Sequence, residues 1–176
     1  PLGIRSGNWA EKAPSVRSPT RVTCGMTRMA RANMSPALAL KLGADAALDP
    51  AAKNLPDQVR ELAGDGFDVI FEASGAPPAL RQAFSLVRPG GTIVQIGTLG
   101  TADVPLPANQ IMARETQLIG SFRYGNVFGE AIRLVAAGRV NLEPLISQVF
   151  PLAELPQAMQ RASAKEGVMK VQIEIN

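Results

Sequence analysis

The sequence predicts an α/β fold in which a parallel sheet carries helices on both faces. Three observations lead to this prediction. FDVIFEASG (67–75) and TIVQIG (92–97) contain nearly unbroken apolar runs, which are typical of strands covered on both sides. Stretches with the apolar spacing of helices stand between and after these runs. The connections are also long enough to be the crossovers that parallel strands require.

The individual elements follow from their caps and their apolar spacing. Ser35 can cap a first helix that starts at Pro36 and stops at Gly43. RPGG (88–91) is expected to be a turn between a helix and a strand. The expected elements are a helix at 36–42, a strand at 46–49, a helix at about 55–63, a strand near 67–73, a helix near 78–87, strands near 91–97 and 115–122, and a helix near 126–138.

Two of these helices have an apolar stripe that should face the sheet. The first follows Pro77 and the second ends at Gly138. The stripes consist of Leu80, Ala83, Phe84 and Val87 in the first helix, and of Ile132, Val135 and Ala136 in the second.

The pattern changes after Gly138. Residues 144–163 predict a strand, a turn and a helix, and GVMKVQIEI (167–175) predicts a final alternating strand. This strand-helix-strand tail is expected to leave the parallel sheet and to join a different layer.

Charge and composition exclude several classes of function. The net charge of +3 arises in residues 1–41, since the remainder of the chain is acidic. The basic residues of this segment form no run, so an irregular extension is favoured over a nucleic-acid-binding arm or a transit peptide. No apolar stretch has the length of a membrane span, and Cys24 is the single cysteine. We expect no membrane partner and a cytoplasmic protein.

The absence of histidine restricts the chemistry most. The 176 residues contain no histidine and one cysteine. They therefore lack the usual general base, any Ser-His-Asp or Cys-His site, and enough ligands for a catalytic zinc. No catalytic residue and no metal ligand is predicted in this chain.

Three motifs, taken in order, resemble the C-terminal half of the medium-chain, zinc-type alcohol and polyol dehydrogenases: FDVIFEASG (67–75), VRPGGTIVQIG (87–97) and GSFRYGN (120–126). Within that family they are most similar to the L-idonate 5-dehydrogenases, and next to the sorbitol dehydrogenases. The resemblance implies a partial Rossmann-like sheet, NAD or NADP as cofactor, zinc in the full-length family, and oxidation of a secondary alcohol of a polyol or sugar acid. Because the chain would lack the first strands of such a sheet, it should expose an apolar strand edge and apolar faces, and we expect a homo-oligomer.

The resemblance places the cofactor at the ends of two strands. It matches Ile96, Gly97 and Thr98 to a segment that lies against the nicotinamide, and Ser121, Phe122 and Arg123 to a further cofactor contact. The alternative for Gly97 is an ordinary glycine at a strand end. Ligands of open parallel sheets do bind at the carboxyl ends of the strands.

The resemblance places the substrate beside Arg123 and Tyr124. A guanidinium and a phenol supply the donors that a polyhydroxy or carboxylate substrate needs. The alternative is an Arg123 that is paired with an acid and a Tyr124 that is half buried in the core.

Two departures from the family pattern are evident. The chain contains no G-x-G-x-x-G turn, where backbone amides would bind the pyrophosphate. Asn33 stands near the position of the acid that would bind the adenosine ribose. The expected division is an irregular, non-family segment at 1–33, a partial dinucleotide-binding domain at 34–150, and a tail at 151–176 that belongs to the catalytic domain.

The chain is therefore interpreted as a fragment of an NAD(P)-dependent oxidoreductase that is inactive alone. The alternative is a non-catalytic module that retains the sheet for binding or dimerisation. A nucleic-acid binder is disfavoured, because the basic residues are scattered and the rest of the chain is acidic.

Overall fold

A computed structural model describes residues 36–164 and 167–175 of the chain. Helices and strands alternate up to residue 136, and a strand-helix-strand unit follows. Short 3₁₀ turns at Glu143–Leu145 and Leu152–Glu154 flank β4. The elements are α1 (Pro36–Lys41), α2 (Leu55–Ala63), β1 (Phe67–Glu72), α3 (Pro77–Leu86), β2 (Val87–Gln95), α4 (Ala108–Ala113), β3 (Gln117–Gly120), α5 (Phe128–Ala136), β4 (Ile146–Pro151), α6 (Leu155–Ala164) and β5 (Lys170–Glu174).

The first three strands form one parallel sheet in the order β1-β2-β3. This confirms the predicted α/β class and the parallel pairing of neighbouring strands. Because the crossovers place all three strands in one direction, their carboxyl ends lie at the same edge of the sheet. That edge carries the residues that the sequence singles out.

The α3 helix packs against this sheet as its apolar stripe predicts. Leu80, Ala83 and Phe84 are buried and form a cluster with Val87 and Ile93 of β2. The prediction that Val87 belongs to the stripe of the helix is wrong, because α3 ends at Leu86 and Val87 begins β2. Pro77 opens the helix, as expected. A second cluster joins α2 to the start of β1 and consists of Leu55, Val59 and Phe67.

The predicted strand at 46–49 is absent, and this prediction is wrong. The segment instead leads into a turn, in which the Asp49 carboxylate accepts a hydrogen bond from the backbone of Ala51 at 2.9 Å. Pro50 has no backbone N–H to donate to a ladder. An aspartate that bonds to the backbone two residues ahead competes directly with strand pairing.

RPGG (88–91) also differs from the prediction, because it lies within β2 rather than forming a separate turn. The β1–β2 register shifts between Phe67 and Val69, so the extra residues are accommodated as an irregularity of the ladder. Gly90, with a φ of +67°, donates its N–H to the backbone oxygen of Arg114 at 2.8 Å. This bond ties the irregularity to the segment that follows α4, a short helix that the sequence pattern does not predict.

The α5 helix does not bury its apolar stripe, so the expected inward orientation of Ile132, Val135 and Ala136 is wrong for the described part of the chain. None of its residues is buried. Phe71 of β1 and Ile119 of β3 are likewise more than two-fifths exposed, although the sequence predicts strands covered on both sides. The apolar side chains of α5, β1 and β3 are exposed for the same reason, because no described element covers them.

The tail forms a separate two-stranded parallel sheet from β4 and β5, with α6 packed on it. Phe150, Ala158 and Val168 are its buried apolar residues. This confirms that the tail leaves the first sheet. Within the described ranges, no helix has the length and apolar character needed to cross a membrane.

Candidate functional site

The three parallel strands end in register. Glu72, Gln95 and Gly120 are paired across β1, β2 and β3 and are the last residues of their strands. The segments that follow therefore leave the sheet side by side: Ser74–Gly75 after β1, Ile96–Thr98 after β2 and Ser121–Tyr124 after β3. We name this region the carboxyl edge. It is the place where open parallel sheets bind ligands.

Backbone hydrogen bonds extend the order of the strands into the carboxyl edge. The N–H groups of Ile96 and Gly97 both donate to the backbone oxygen of Glu72 at 2.8 Å. The N–H of Ser121 donates to the backbone oxygen of Gln95 at 2.9 Å. The two predicted cofactor segments are thus anchored next to one another.

Gly97 and Gly75 approach each other so closely that neither position has room for a side chain. A Cβ atom at Gly97 would collide with the backbone N of Gly75 and would lie 2.7 Å from its Cα. A Cβ at Gly75, where φ is +67°, would collide with the backbone oxygen of Thr98. The result is bare backbone at the carboxyl edge, where the two strand-end segments pack directly against each other.

A buried polar cluster supports this edge from below. Glu72 is 4% exposed, and its Oε1 accepts hydrogen bonds from the N–H of Ser74 at 2.8 Å and of Gly75 at 3.0 Å. The Nε2 of Gln95 donates to Glu72 Oε2 at 3.3 Å and to the backbone oxygen of Gly97 at 2.6 Å. Sequence reasoning missed both side chains, although an acid inside an apolar strand was a signal for Glu72.

Arg123 and Tyr124 project from the carboxyl edge without being used by the core. Arg123 adopts a φ of +59°, and its guanidinium carbon lies 4.9 Å from the centroid of the Phe122 ring. It takes part in none of the ion pairs among the described residues. Tyr124 is 61% exposed, with its ring 5.4 Å from that of Phe128. The alternative of a paired arginine and a half-buried tyrosine is not observed in this part of the chain.

All seven residues predicted from the sequence lie at the carboxyl edge. Gly97 is half-buried, and the others are exposed to solvent, where a ligand can reach them. Two strand-end segments supply them, and Ser74 and Gly75 come from a third. The seven residues are Ile96, Gly97, Thr98, Ser121, Phe122, Arg123 and Tyr124.

An apolar cavity beside β1 is a weaker candidate. It has a volume of about 50 Å³, and its lining includes Leu48, Val59, Phe71 and Ala83. Sites for cofactors and drug-sized ligands are several times larger, from roughly 300 Å³ upward. The cavity is therefore a packing gap between α2, α3 and β1 rather than a ligand site.

Zinc does not fit the described residues. In 36–164 and 167–175 no three His, Cys, Asp or Glu side chains are grouped in a way that could hold a metal ion. Glu72, the buried acid of the carboxyl edge, has its oxygens occupied by hydrogen-bond donors. The described part of the chain therefore supplies no set of zinc ligands of its own.

Comparison with known proteins identifies the family of the chain. Residues 24–137 match the family described as Zinc-binding dehydrogenase. The chain is 32% identical over 154 residues to the Escherichia coli L-idonate 5-dehydrogenase (NAD(P)(+)), a match that covers 86% of this chain and 44% of the relative. It is 36% identical over 143 residues to the Enterococcus avium D-arabitol-phosphate dehydrogenase, covering 80% and 40% respectively.

Solved structures give the same picture. The crystal structure of Escherichia coli L-idonate 5-dehydrogenase superposes with a TM-score of 0.70 at 33% identity, covering 80% of this chain and 40% of that one. The 2R,3R-butanediol dehydrogenase from Bacillus subtilis superposes with a TM-score of 0.71 at 26% identity and the same coverage. The chain thus spans less than half the length of the relatives that it matches. With its motifs, its parallel sheet and a family match over most of its residues, the chain belongs to the zinc-binding dehydrogenase family.

Proposed function

We propose that this chain contributes the nicotinamide-binding edge of an NAD(P)-dependent oxidoreductase that acts on a secondary alcohol of a polyol or sugar acid, as an L-idonate 5-dehydrogenase or a sorbitol dehydrogenase does. Ile96, Gly97, Thr98, Ser121, Phe122 and Arg123 are the proposed cofactor contacts. Arg123 and Tyr124 are the proposed substrate contacts. A cytoplasmic location belongs to the same proposal.

The contact between Gly75 and Gly97 carries this proposal. Two side-chain-free positions from different strand ends pack together at the edge where open parallel sheets bind ligands, and the proposal sets a planar ring against this backbone. A bound nicotinamide would supply hydride transfer. The chain's own part is to hold the ring flat against Gly97 and to present the exposed donors of Arg123 and Tyr124 beside it.

Cofactor binding is tested by titrating the whole 176-residue chain with NADH and following the fluorescence of the reduced nicotinamide. We expect a saturable rise, because a backbone edge that excludes water on one face restricts the ring. The sequence has no glycine-rich phosphate turn, so we expect weak binding with a Kd between about 10 µM and 1 mM. A parallel titration with NADPH compares the two cofactors. A signal that rises in strict proportion to added nucleotide would contradict the proposal.

A second candidate function is favoured by the uncovered apolar residues of β3 and α5. A dimerisation or binding module would use such a surface without any chemistry. The apolar side chains of this surface that are 38–60% exposed are Leu118, Ile119, Val127, Phe128, Ile132 and Val135.

We expect the chain to self-associate through this surface. The outer edge of β3 is unpaired in the described structure, and open strand edges flanked by apolar side chains readily pair with another chain. Light scattering at tens of micromolar, a range in which exposed apolar surface drives association, should report a dimer or a larger species. Ile119→Lys should shift the population toward monomer, whereas Gln160→Lys is the matched control, because Gln160 is exposed on α6 and lies outside this surface. A wild-type chain that is monomeric in this range would contradict the expectation.

A further inference from the structure

Glu72 is a charged side chain at the end of an apolar strand, and it is 4% exposed. Burying a carboxylate is costly unless hydrogen bonds replace its hydration. At this position four donors do so: the N–H groups of Ser74 and Gly75, the Oγ of Ser74 at 2.5 Å, and the Nε2 of Gln95. A group that accepts four bonds and donates none has the pattern of an ionised carboxylate.

These bonds fix the segment that follows β1. Glu72 Oε1 holds the backbone of Ser74 and Gly75, and the Ser74 hydroxyl in turn accepts from the N–H of Ala76 at 3.2 Å. Gly75 has a φ of +67° and lies against the backbone of Thr98, and the hydrogen bond to Glu72 holds it in this position. The carboxylate therefore sets the position of one wall of the carboxyl edge.

The second wall is tied to the same carboxylate through Gln95. One amide nitrogen bridges Glu72 Oε2 and the backbone oxygen of Gly97. The backbone oxygen of Glu72 also accepts the N–H groups of Ile96 and Gly97. The end of β1 and the end of β2 are thus coupled through one residue.

The cluster carries negative charge that no cation balances among the described residues. None of the ion pairs there involves Glu72, and all the partners of its carboxylate are neutral. Gln95 Oε1 adds a buried acceptor without any hydrogen-bond partner in the described structure. The carboxyl edge consequently lies over a carboxylate and an unpaired amide oxygen, an environment that favours a positively charged ligand.

We propose that Glu72 is a positioning residue of the carboxyl edge and that its charge raises the affinity of this edge for the oxidised, cationic nicotinamide ring relative to its affinity for the neutral reduced ring. The proposal rests on the proposed cofactor-binding function. It assigns two effects to one side chain: alignment of the Gly75 and Gly97 walls, and a preference for the redox state that an alcohol oxidation consumes.

The test uses the whole chain with Glu72→Gln, which keeps an oxygen for Ser74 and Gly75 but removes the charge. Glu61→Gln is the matched control, since Glu61 is exposed on α2. NADH affinity is measured by fluorescence, and NAD⁺ affinity by competition against NADH. We expect Glu72→Gln to weaken NAD⁺ binding about 2- to 5-fold more than NADH binding, the size of one charge acting across a partly hydrated distance. Glu61→Gln should leave the ratio unchanged.

Positioning is measured separately, without nucleotide, by amide hydrogen exchange. Gln95→Met removes the bridging amide and leaves Glu72 its backbone partners. We expect Glu72→Ala to accelerate exchange at Ser74 and Gly75 by about tenfold or more, the loss expected for a bond to a charged group. Gln95→Met should leave exchange at these two amides close to the wild type, because their bonds to Glu72 Oε1 remain. A purely structural role would lower thermal stability and shift both nucleotide affinities equally.

The outcomes separate the two proposals. A wild-type chain that binds neither nucleotide overturns the proposed function and the redox preference with it, while the exchange rates still decide the positioning role. Binding with an unchanged NAD⁺ to NADH ratio in Glu72→Gln overturns the charge effect. Unchanged exchange at Ser74 and Gly75 in a folded Glu72→Ala chain overturns positioning.

Discussion

Gly97→Ala is expected to lower the free energy of unfolding by about 1–3 kcal/mol, the usual cost of adding an atom to a filled space. The new Cβ would collide with the backbone N of Gly75 and would lie 2.7 Å from both Gly75 Cα and Glu72 Oε2. Two of these three atoms belong to backbone that hydrogen bonds hold in place, so the strand ends must separate. Separation removes the bare backbone surface, and NADH binding should weaken by at least about tenfold, which corresponds to about 1.4 kcal/mol.

Gly100→Ala is the matched control for this variant. A Cβ at Gly100 meets nothing within 4 Å, and it lies only three residues further along the same loop. We expect stability equal to the wild type or raised by up to about 1 kcal/mol, because alanine restricts the unfolded chain. Thermal unfolding and NADH titration measure both effects. Wild-type affinity and melting temperature in Gly97→Ala would show that the close contact with Gly75 does not shape the edge.

The parts of the fold that were predictable from sequence depend on local patterns. The α3 helix is an example, since Pro77 sets its start and the spacing of Leu80, Ala83 and Phe84 sets its buried face. The order of β1, β2 and β3 follows from the same local information, because a helical crossover forces neighbouring strands to be parallel.

The parts that failed depend on what lies beside an element. Residues 46–49 are apolar enough for a strand, but Asp49 bonds to the backbone of Ala51 and turns the chain. The stripe of α5 has the spacing of a buried helix, yet Ile132 is 56% exposed because no described element covers it. Apolar spacing shows which side of a helix could be buried. It does not show that a partner is present.

The residues of the candidate site also divide into those that local sequence patterns could predict and those that depend on neighbouring elements. Gly97 and Arg123 are assigned through the resemblance of their motifs to the family, and the apolar runs before them place both near strand ends. Glu72 could have been found from its neighbours Ser74 and Gly75, since a carboxylate often bonds to backbone two or three residues ahead. The role of Gln95 could not have been predicted from the sequence, because its contact with Glu72 depends on the register between β1 and β2.

Arg123→Ala should impair turnover of a polyol or sugar acid far more than folding, in a full-length dehydrogenase that carries this segment. The side chain is exposed, and its guanidinium contacts the ring of Phe122. Such a contact at an exposed site is worth about 0.5–1 kcal/mol, so the melting temperature should change little. A charge-assisted hydrogen bond to a bound substrate is worth more, about 1.5–3 kcal/mol. Its loss should lower kcat/KM by about 10- to 150-fold.

Two further variants test whether the shape of the guanidinium matters. Arg123→Lys keeps the charge but loses the planar pair of donors, so it should recover only part of the activity. Arg133→Ala is the matched control, because Arg133 is an exposed arginine of α5 that pairs with Glu130 on its own helix. Its kcat/KM should equal that of the wild type. A large fall in melting temperature for Arg123→Ala, with unchanged kinetics in the folded fraction, would assign Arg123 to the scaffold. The backbone of Arg123 has a positive φ of +59°, which is strained for a residue with a side chain. Such strain at an exposed position supports the hypothesis that the backbone here aims the side chain at a ligand.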